Sequence, residues 1–157
     1  MELLFKQRIF SWLDSYDVYD ENGETVYTVK GQLSFGHKLL IYNKYNEHVG
    51  TIKEQVLTFL SRFALYENNQ YIGNISQQFT FFKPTYILEY KDWKVEGNFW
   101  QWDYQITNRS GNIIALINKD IFRMSDTYSL TIANDEDALY VLMIVIAIDE
   151  HKCTQSK

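Results

Sequence analysis

The stretch that decides the fold lies near the C-terminus, where Asn134-Asp135-Glu136-Asp137 precedes eleven unbroken apolar residues, Ala138-Leu-Tyr-Val-Leu-Met-Ile-Val-Ile-Ala-Ile148. An Asn or Asp cap with acids in the first turn favours a helix start, because carboxylates stabilise the positive end of the helix dipole. The β-branched residues in the run would suit a strand instead. We give the capping signal more weight and predict one helix over residues 135–148, ended by Asp149-Glu150.

A helix of this composition is apolar on every side, so the rest of the protein must surround it. Its apolar run would span only about 16 Å, against roughly 30 Å for a bilayer core, and we therefore predict no transmembrane span. A single domain then covers residues 1–157, with residues 150–157 as a polar tail. The predicted core positions of the helix are Leu139, Val141, Leu142, Ile144, Val145 and Ile148.

Upstream of this run, several segments alternate apolar and polar residues on both sides of a turn rich in Asn, Asp and Gly. This pattern is typical of β-hairpins, since these turn residues tolerate the positive φ that tight turns require. The composition agrees with strands, because aromatic residues make up 17% of the chain and there is one proline. Closure of the sheet would remove its exposed edges. The turns lie at residues 20–23, 43–50, 67–70 and 108–111.

Trp100, Trp102, Tyr104 and Ile106 follow a period of two, so we expect them on one face of a strand. A tryptophan stripe is usually packed core or a covered sheet face. The alternative is a platform for a sugar or a base.

The charge pattern argues against a nucleic-acid partner. The net charge is -5 and the basic residues are dispersed, without the stripe that neutralises phosphates. The lone Cys153 permits no internal disulfide, and the N-terminus lacks the pattern of a signal peptide. We therefore expect a cytoplasmic location.

No spacing of residues indicates catalytic chemistry. His37, His48 and His151 are isolated from one another, so they form no zinc pattern. Asp20-Glu-Asn22-Gly23 resembles part of a calcium loop, but Val18 and Val29 stand where carboxylates are needed. The acidic residues 135–137 are best explained as helix capping. We predict no catalytic, metal or cofactor site and a non-enzymatic protein, with an enzyme built from separate Asp and Glu residues as the alternative.

With its elements in this order, the chain resembles the LURP-one-related family, in particular its short bacterial YxjI-type members. The resemblance spans nearly the whole chain and rests on turn and packing residues in a fixed order. The matching stretches are Phe10-Ser-Trp12, Val18-Tyr-Asp20-Glu-Asn-Gly23, Val29-Lys-Gly31, Trp93-Lys-Val95-Glu-Gly97-Asn-Phe99, Tyr104-Gln-Ile106, Gly111, Ala115-Leu-Ile117, Asp135-Glu-Asp137 and Val145-Ile-Ala147-Ile-Asp149.

The resemblance implies the tubby-like fold of the tubby C-terminal-like superfamily, an antiparallel β-barrel of about twelve strands enclosing a central C-terminal helix. Tubby proteins hold phosphoinositide head groups with basic residues, and no motif here matches those residues. The cysteine run and calcium-binding segment of the related phospholipid scramblases are also missing from this sequence.

These features lead to three functional hypotheses. The first, by resemblance, is a binding module for lipid head groups or membrane surfaces, with Lys83, Lys91 and Lys94 as anionic-ligand contacts. The second is a protein-interaction or scaffold domain that docks a partner through exposed aromatics, with Trp93, Trp100 and Trp102 as the expected anchors. The third is a small-molecule carrier or enzyme that uses the barrel interior, which is disfavoured because the helix should fill that interior.

Overall fold

The computed structural model describes residues 1–6, 15–80, 83–89, 91–119 and 127–155. These residues form twelve β-strands, two 3₁₀ turns and one α-helix. The 3₁₀ turns cover Phe99–Gln101 and Asp135–Asp137, and the helix, α1, covers Ala138–Gln155. The strands are β1 (Glu2–Lys6), β2 (Tyr16–Asp20), β3 (Thr25–Gln32), β4 (Lys38–Asn43), β5 (His48–Glu54), β6 (Arg62–Glu67), β7 (Gln70–Thr80), β8 (Lys83–Leu88), β9 (Trp93–Asn98), β10 (Asp103–Thr107), β11 (Ile113–Lys119) and β12 (Thr127–Ile132).

The strands close into an antiparallel barrel in which each pairs with its neighbours in the chain. Pairing of β1 with β12 completes the ring, with Leu3 opposite Leu130. All the predicted hairpins are present, and the barrel expected from the resemblance is confirmed. Alternation explains the core, because inward positions such as Leu39 and Ile52 are buried while their neighbours Lys38 and Lys53 face outward.

Helix α1 runs through the middle of this barrel, as the apolar run predicts. Every residue from Val141 to Ile148 is at most 1% exposed. Of the six predicted core positions, five are fully buried and Leu139 packs against the core while partly exposed. The strands thus enclose the helix, as its all-round apolar surface requires. Tertiary packing outweighs the strand preference of its β-branched residues.

The expectation of a polar tail from residue 150 is wrong for the residues that the structure describes there. Helix α1 continues to Gln155, and Asp149, Glu150, His151 and Lys152 are at most 8% exposed. Burial of charged side chains is tolerated only where polar partners replace water. Polar partners for these side chains lie at the end of the barrel where α1 finishes. A charged run of the kind usually found on a protein surface therefore belongs to the core.

The expected stripe of aromatics is also wrong at its first position. Phe99–Gln101 is a 3₁₀ turn, which breaks the period of two before β10 begins. Trp100 is therefore 61% exposed, whereas Trp102 is 2% exposed. Trp102 adopts φ 52° and stacks on Tyr128 with ring centroids 3.9 Å apart. It forms packed core, together with Tyr104 and Ile106.

The alternating topology gives the barrel two different ends. We define the turn end by the hairpin segments 21–24, 44–47, 68–69 and 108–112 with the connection 133–137, and the loop end by segments 33–37, 55–61 and 99–102. Helix α1 enters from the turn end and finishes at the loop end. Within the described part of the chain, no helix has both the length and the apolar character to cross a membrane. Phe10-Ser-Trp12, the first stretch of the resemblance, lies outside the described residues.

Candidate binding site on the barrel wall and loop end

An open groove of about 490 Å³ crosses the outer face of strands β3 to β6. We call it the wall groove. It lies on the side of the sheet opposite the helix, so it is separate from the packed interior. Its lining residues are Gln32, Lys38, Leu40, His48, Thr51, Lys53, Tyr66 and Asn69.

Two lysines dominate the electrostatics of the wall groove. Lys38 and Lys53 face each other directly in the register of β4 and β5. Like charges opposite each other in a sheet are unfavourable. Neither ammonium has a salt bridge or a hydrogen bond to another of the residues described by the structure. The pair therefore places two unneutralised positive charges side by side in a concave surface.

The rest of the groove wall is polar and aromatic. Thr51 Oγ1 lies 2.9 Å from His48 Nε2, and the His48 ring packs against Tyr42 at 5.6 Å between centroids. Outside the lining residues, on the neighbouring strand β3, Lys30 Nζ lies 4.7 Å above the Tyr42 ring. Hydroxyl, imidazole and ammonium groups are suitable donors for an oxyanion such as a phosphate or a carboxylate.

The lysines predicted as anionic contacts lie elsewhere on the barrel. Lys91 Nζ is 2.9 Å from Asp137 Oδ1 and lies over the rings of Trp93 and Tyr140. Lys94 on β9 pairs with Glu96 at 2.5 Å. Lys83 begins β8, and its side chain is outside the described set. Two of the three predicted lysines thus already have carboxylate partners, unlike Lys38 and Lys53.

The four most exposed large apolar side chains among the described residues lie at the loop end. Leu33 and Phe35 are each 77% exposed, Leu57 is 97% exposed and Phe59 is fully exposed. Together with Trp100 they form the set that we call the loop-tip residues. Trp93 and Trp102 are buried. Of the described tryptophans proposed to dock a partner, Trp100 alone is therefore exposed.

The two loops that carry Leu33, Phe35, Leu57 and Phe59 are packed together. Gly36 has φ +85°, and a Cβ built there would lie 2.8 Å from Val56 Cγ1. Backbone hydrogen bonds add to this packing, since Glu54 N donates to His37 O and Gln55 N donates to Arg62 O. The loop tips are therefore held in place by neighbouring backbone.

Three consecutive residues of α1 connect the helix end to three loop-end segments. His37 Nδ1 lies 2.8 Å from Glu150 Oε1, and Ser61 Oγ contacts His151 Nδ1. Lys152 Nζ donates to Phe99 O at 2.6 Å. We call these the helix-end contacts. They join the core helix to each of the loops that carry a loop-tip residue.

Burial shifts the titration of these groups. It lowers the pKa of the His151 imidazole, although the Glu54 carboxylate opposes the shift. Burial also lowers the pKa of Lys152 to about 8, against the effect of Asp149. The pKa of Tyr104 is raised well above its usual value by burial and by the Asp149 carboxylate. Protonation at this end of the barrel is therefore coupled to folding.

The Ser61–His151 contact has the composition of a nucleophile and a base, but not the arrangement of a triad. Ser61 contacts Nδ1, while the buried Nε2 of His151 has no hydrogen-bond partner among the groups described. A triad needs a third group to orient the imidazole from its other nitrogen. The part of the chain that the structure describes also contains no cluster of His, Cys, Asp or Glu suited to a metal ion. The pair is best understood as an anchor of the 55–61 loop.

Sequence reasoning missed the wall groove and the helix-end contacts. Lys38 and Lys53 are 15 residues apart, and only the pairing of β4 with β5 brings them together. The sequence does show that each lysine is next to an apolar residue, Leu39 or Ile52, in an alternating strand. This position predicts an outward-facing side chain. The helix-end contacts had no such signal, because their partners come from remote segments.

Comparison with known proteins identifies the relatives of this chain. It matches the LURP-one-related family over residues 1–149. The uncharacterized protein YxjI of Bacillus subtilis (strain 168) is 26% identical over 150 residues, which cover 95% of this chain and 92% of that protein.

An X-ray structure of an Arabidopsis thaliana protein matches with a TM-score of 0.66, covering 94% of this chain and 89% of that one. At 16% identity, this match shows a shared fold. The closed barrel around a C-terminal helix is the tubby-like fold. With the family match extending over nearly all of its length, the chain belongs to the LURP-one-related family.

Proposed function

We propose that this protein is a non-enzymatic binding module that takes an anionic head group into the wall groove at a membrane surface. The observation that carries the proposal is the pair Lys38 and Lys53, opposed in register and without a carboxylate partner among the residues described. An unneutralised pair of ammonium groups is unfavourable in the free protein, and an oxyanion placed between them would relieve their repulsion.

The net charge of -5 does not contradict this proposal, because the charge is unevenly distributed. Carboxylates such as Glu21, Glu24, Asp135 and Glu136 lie in turn-end segments, away from the groove residues Lys38 and Lys53 at the loop-end margins of their strands. The nearer carboxylates, Glu54 and Glu150, contact His37. Local charge within about a Debye length, roughly 8 Å at physiological salt, determines the binding of an anionic surface. A cytoplasmic location and the lack of catalytic activity are parts of the same proposal.

The test is binding of the Lys38→Ala/Lys53→Ala variant to vesicles of phosphatidylcholine with phosphatidylserine. Each lysine near an anionic surface contributes about 1 kcal/mol, so we expect a loss of roughly 10- to 30-fold in the partition coefficient. Lys94→Ala removes a lysine on β9, outside the groove, and should change binding little. Cosedimentation at fixed ionic strength measures all three proteins.

Equal binding of the wild type to neutral and anionic vesicles would contradict the proposal. So would a larger loss in Lys94→Ala than in the groove variant, since that result would assign the contact to the lysine predicted on β9.

A further inference from the structure

The loop end differs in composition from the rest of this acidic protein. Segments 33–37, 55–61 and 99–102 contain no Asp, Glu, Lys or Arg, although the chain has 20 acidic and 15 basic residues. The turn-end segments, in contrast, include Glu21, Glu24, Glu47, Asp135 and Glu136. The described segments of the two ends therefore differ: segments 33–37, 55–61 and 99–102 are uncharged and largely apolar, whereas the turn-end segments are acidic on balance.

The loop-tip residues protrude instead of forming a flat patch. Leu57 and Phe59 are 97% and 100% exposed, so their side chains project into solvent. Apolar anchors of protein interfaces usually lie within a broader buried core. Projecting apolar side chains on adjacent uncharged loops are suited to a medium that closes around them, and the interfacial region of a bilayer is such a medium.

The backbone at Leu57 supplies a second observation. Leu57 adopts φ +67°, a left-handed conformation that is uncommon for a bulky residue. Asn or Gly would occupy this position with less strain. A leucine that is both strained and almost fully exposed contributes nothing evident to folding, and strain of this kind is often found at functional positions.

The charges next to the loop-tip residues indicate what kind of surface the loop end would contact. Lys38 begins β4 directly after the loop 33–37, and Lys53 lies at the end of β5 just before the loop 55–61. The two ammonium groups are therefore set immediately behind the apolar tips. In a peripheral membrane protein, apolar side chains enter the acyl boundary while the basic groups behind them meet the anionic head groups.

We propose that the loop end is a membrane-insertion surface, in which Leu33, Phe35, Leu57 and Phe59 penetrate the interfacial region of an anionic bilayer while Lys38 and Lys53 contact its head groups. This inference rests on the proposed function, since it uses the same lysines. It adds the docking orientation, with the barrel axis directed into the membrane and the acidic turn end away from it.

The helix-end contacts give this surface its support. Glu150, His151 and Lys152 contact His37, Ser61 and Phe99 O, one residue in each loop-end segment. Insertion of apolar side chains is more favourable when the loops are already ordered, because less conformational entropy is then lost on binding. The buried end of α1 is thus a positioning element for the membrane contact.

The experiment compares Leu57→Asn, Phe59→Ser and the groove variant Lys38→Ala/Lys53→Ala with the wild type. One measurement is cosedimentation with vesicles containing phosphatidylserine, and the other is calorimetric binding of inositol hexakisphosphate in free solution. We expect Leu57→Asn and Phe59→Ser to weaken vesicle binding about tenfold each while leaving binding of the free polyanion unchanged. Leu57→Asn should also melt at the same temperature as the wild type or higher, since it relieves the backbone strain.

Each other outcome overturns at least one of the two proposals. Vesicle binding that is reduced in the groove variant but unchanged in both loop-tip variants overturns the insertion surface and leaves the head-group site standing. Binding of the free polyanion without vesicle binding also overturns insertion and favours a protein partner for the loop tips. Binding of neither probe by the wild type overturns the proposed function together with the inference drawn from it.

Discussion

At the residue scale, Gly97 controls the hairpin that presents Trp100. It has φ +142°, and a Cβ built there would lie 2.5 Å from both Asp103 O and Tyr104 Cα. Glycine is therefore required where β9 and β10 approach each other, just before the 3₁₀ turn at Phe99–Gln101. Without that close approach the turn would not place Trp100 outside the barrel and Trp102 inside it.

We predict that Gly97→Ala destabilises the fold by about 3 kcal/mol or more, because both the backbone conformation and the backbone contact must change. Gly111→Ala is the matched control. Gly111 also has positive φ, at +82°, but a Cβ there would have nothing within 4 Å. It should cost only about 1 kcal/mol. Urea denaturation measures both variants, and equal losses would show that the close contact at Gly97 is unimportant.

The proximity of Lys38 and Lys53 shows why a binding residue is harder to predict than a core residue. Burial of Leu39 and Ile52 follows from alternation within each strand, which is local. The juxtaposition of the two lysines depends on the register of β4 against β5, and that register includes an irregularity between Ile41 and Tyr42. The order of residue types along the chain does not by itself predict where such a register shift occurs.

At the scale of elements, α1 illustrates both the strength and the limit of sequence patterns. The apolar run predicted its helix and its enclosure, because capping and all-round hydrophobicity are properties of the segment itself. The sequence predicts the end of the helix too early, because Asp149 and Glu150 have the character of solvent-exposed residues when their surroundings are not known. Their burial depends on groups such as His37, more than 110 residues away in the chain.

The helix end also predicts a pH dependence of stability. Because burial lowers the pKa of His151, the folded state favours the neutral imidazole. The associated stability is fully present above the unfolded pKa, about 6.5, and is lost as the pH falls from there through the lowered folded pKa. The Ser61 hydroxyl, the Glu54 carboxylate and the Tyr86 ring face this imidazole.

We expect the melting temperature of the wild type to fall more steeply between pH 7.5 and 5.5 than that of His151→Asn. Asparagine keeps a polar atom near Ser61 but does not titrate in this range. Thermal unfolding at matched ionic strength measures both proteins. Parallel curves would mean that protonation of His151 makes no contribution to the acid sensitivity of the fold.

At the scale of the whole molecule, the barrel orients two chemically different ends. The meander topology places the acidic hairpin turns at one end and the uncharged segments 33–37, 55–61 and 99–102 at the other, and α1 connects the two ends. An anionic surface would repel the turn end and accept the loop end, so the distribution of charge favours one docking orientation in spite of the net charge of -5. The proposed membrane contact therefore requires one orientation of the barrel, with the loop end towards the bilayer.

The most direct test places the same environment-sensitive fluorophore at either end of the barrel. Ser34→Cys lies between Leu33 and Phe35 in the loop end, and Ser110→Cys lies in the turn-end segment 108–112, each in a Cys153→Ser background. On addition of phosphatidylserine vesicles, emission from the label at position 34 should shift to the blue, whereas the label at position 110 should not respond. An unchanged spectrum at position 34 under conditions where the protein sediments with vesicles, or equal shifts at both positions, would contradict the proposed orientation.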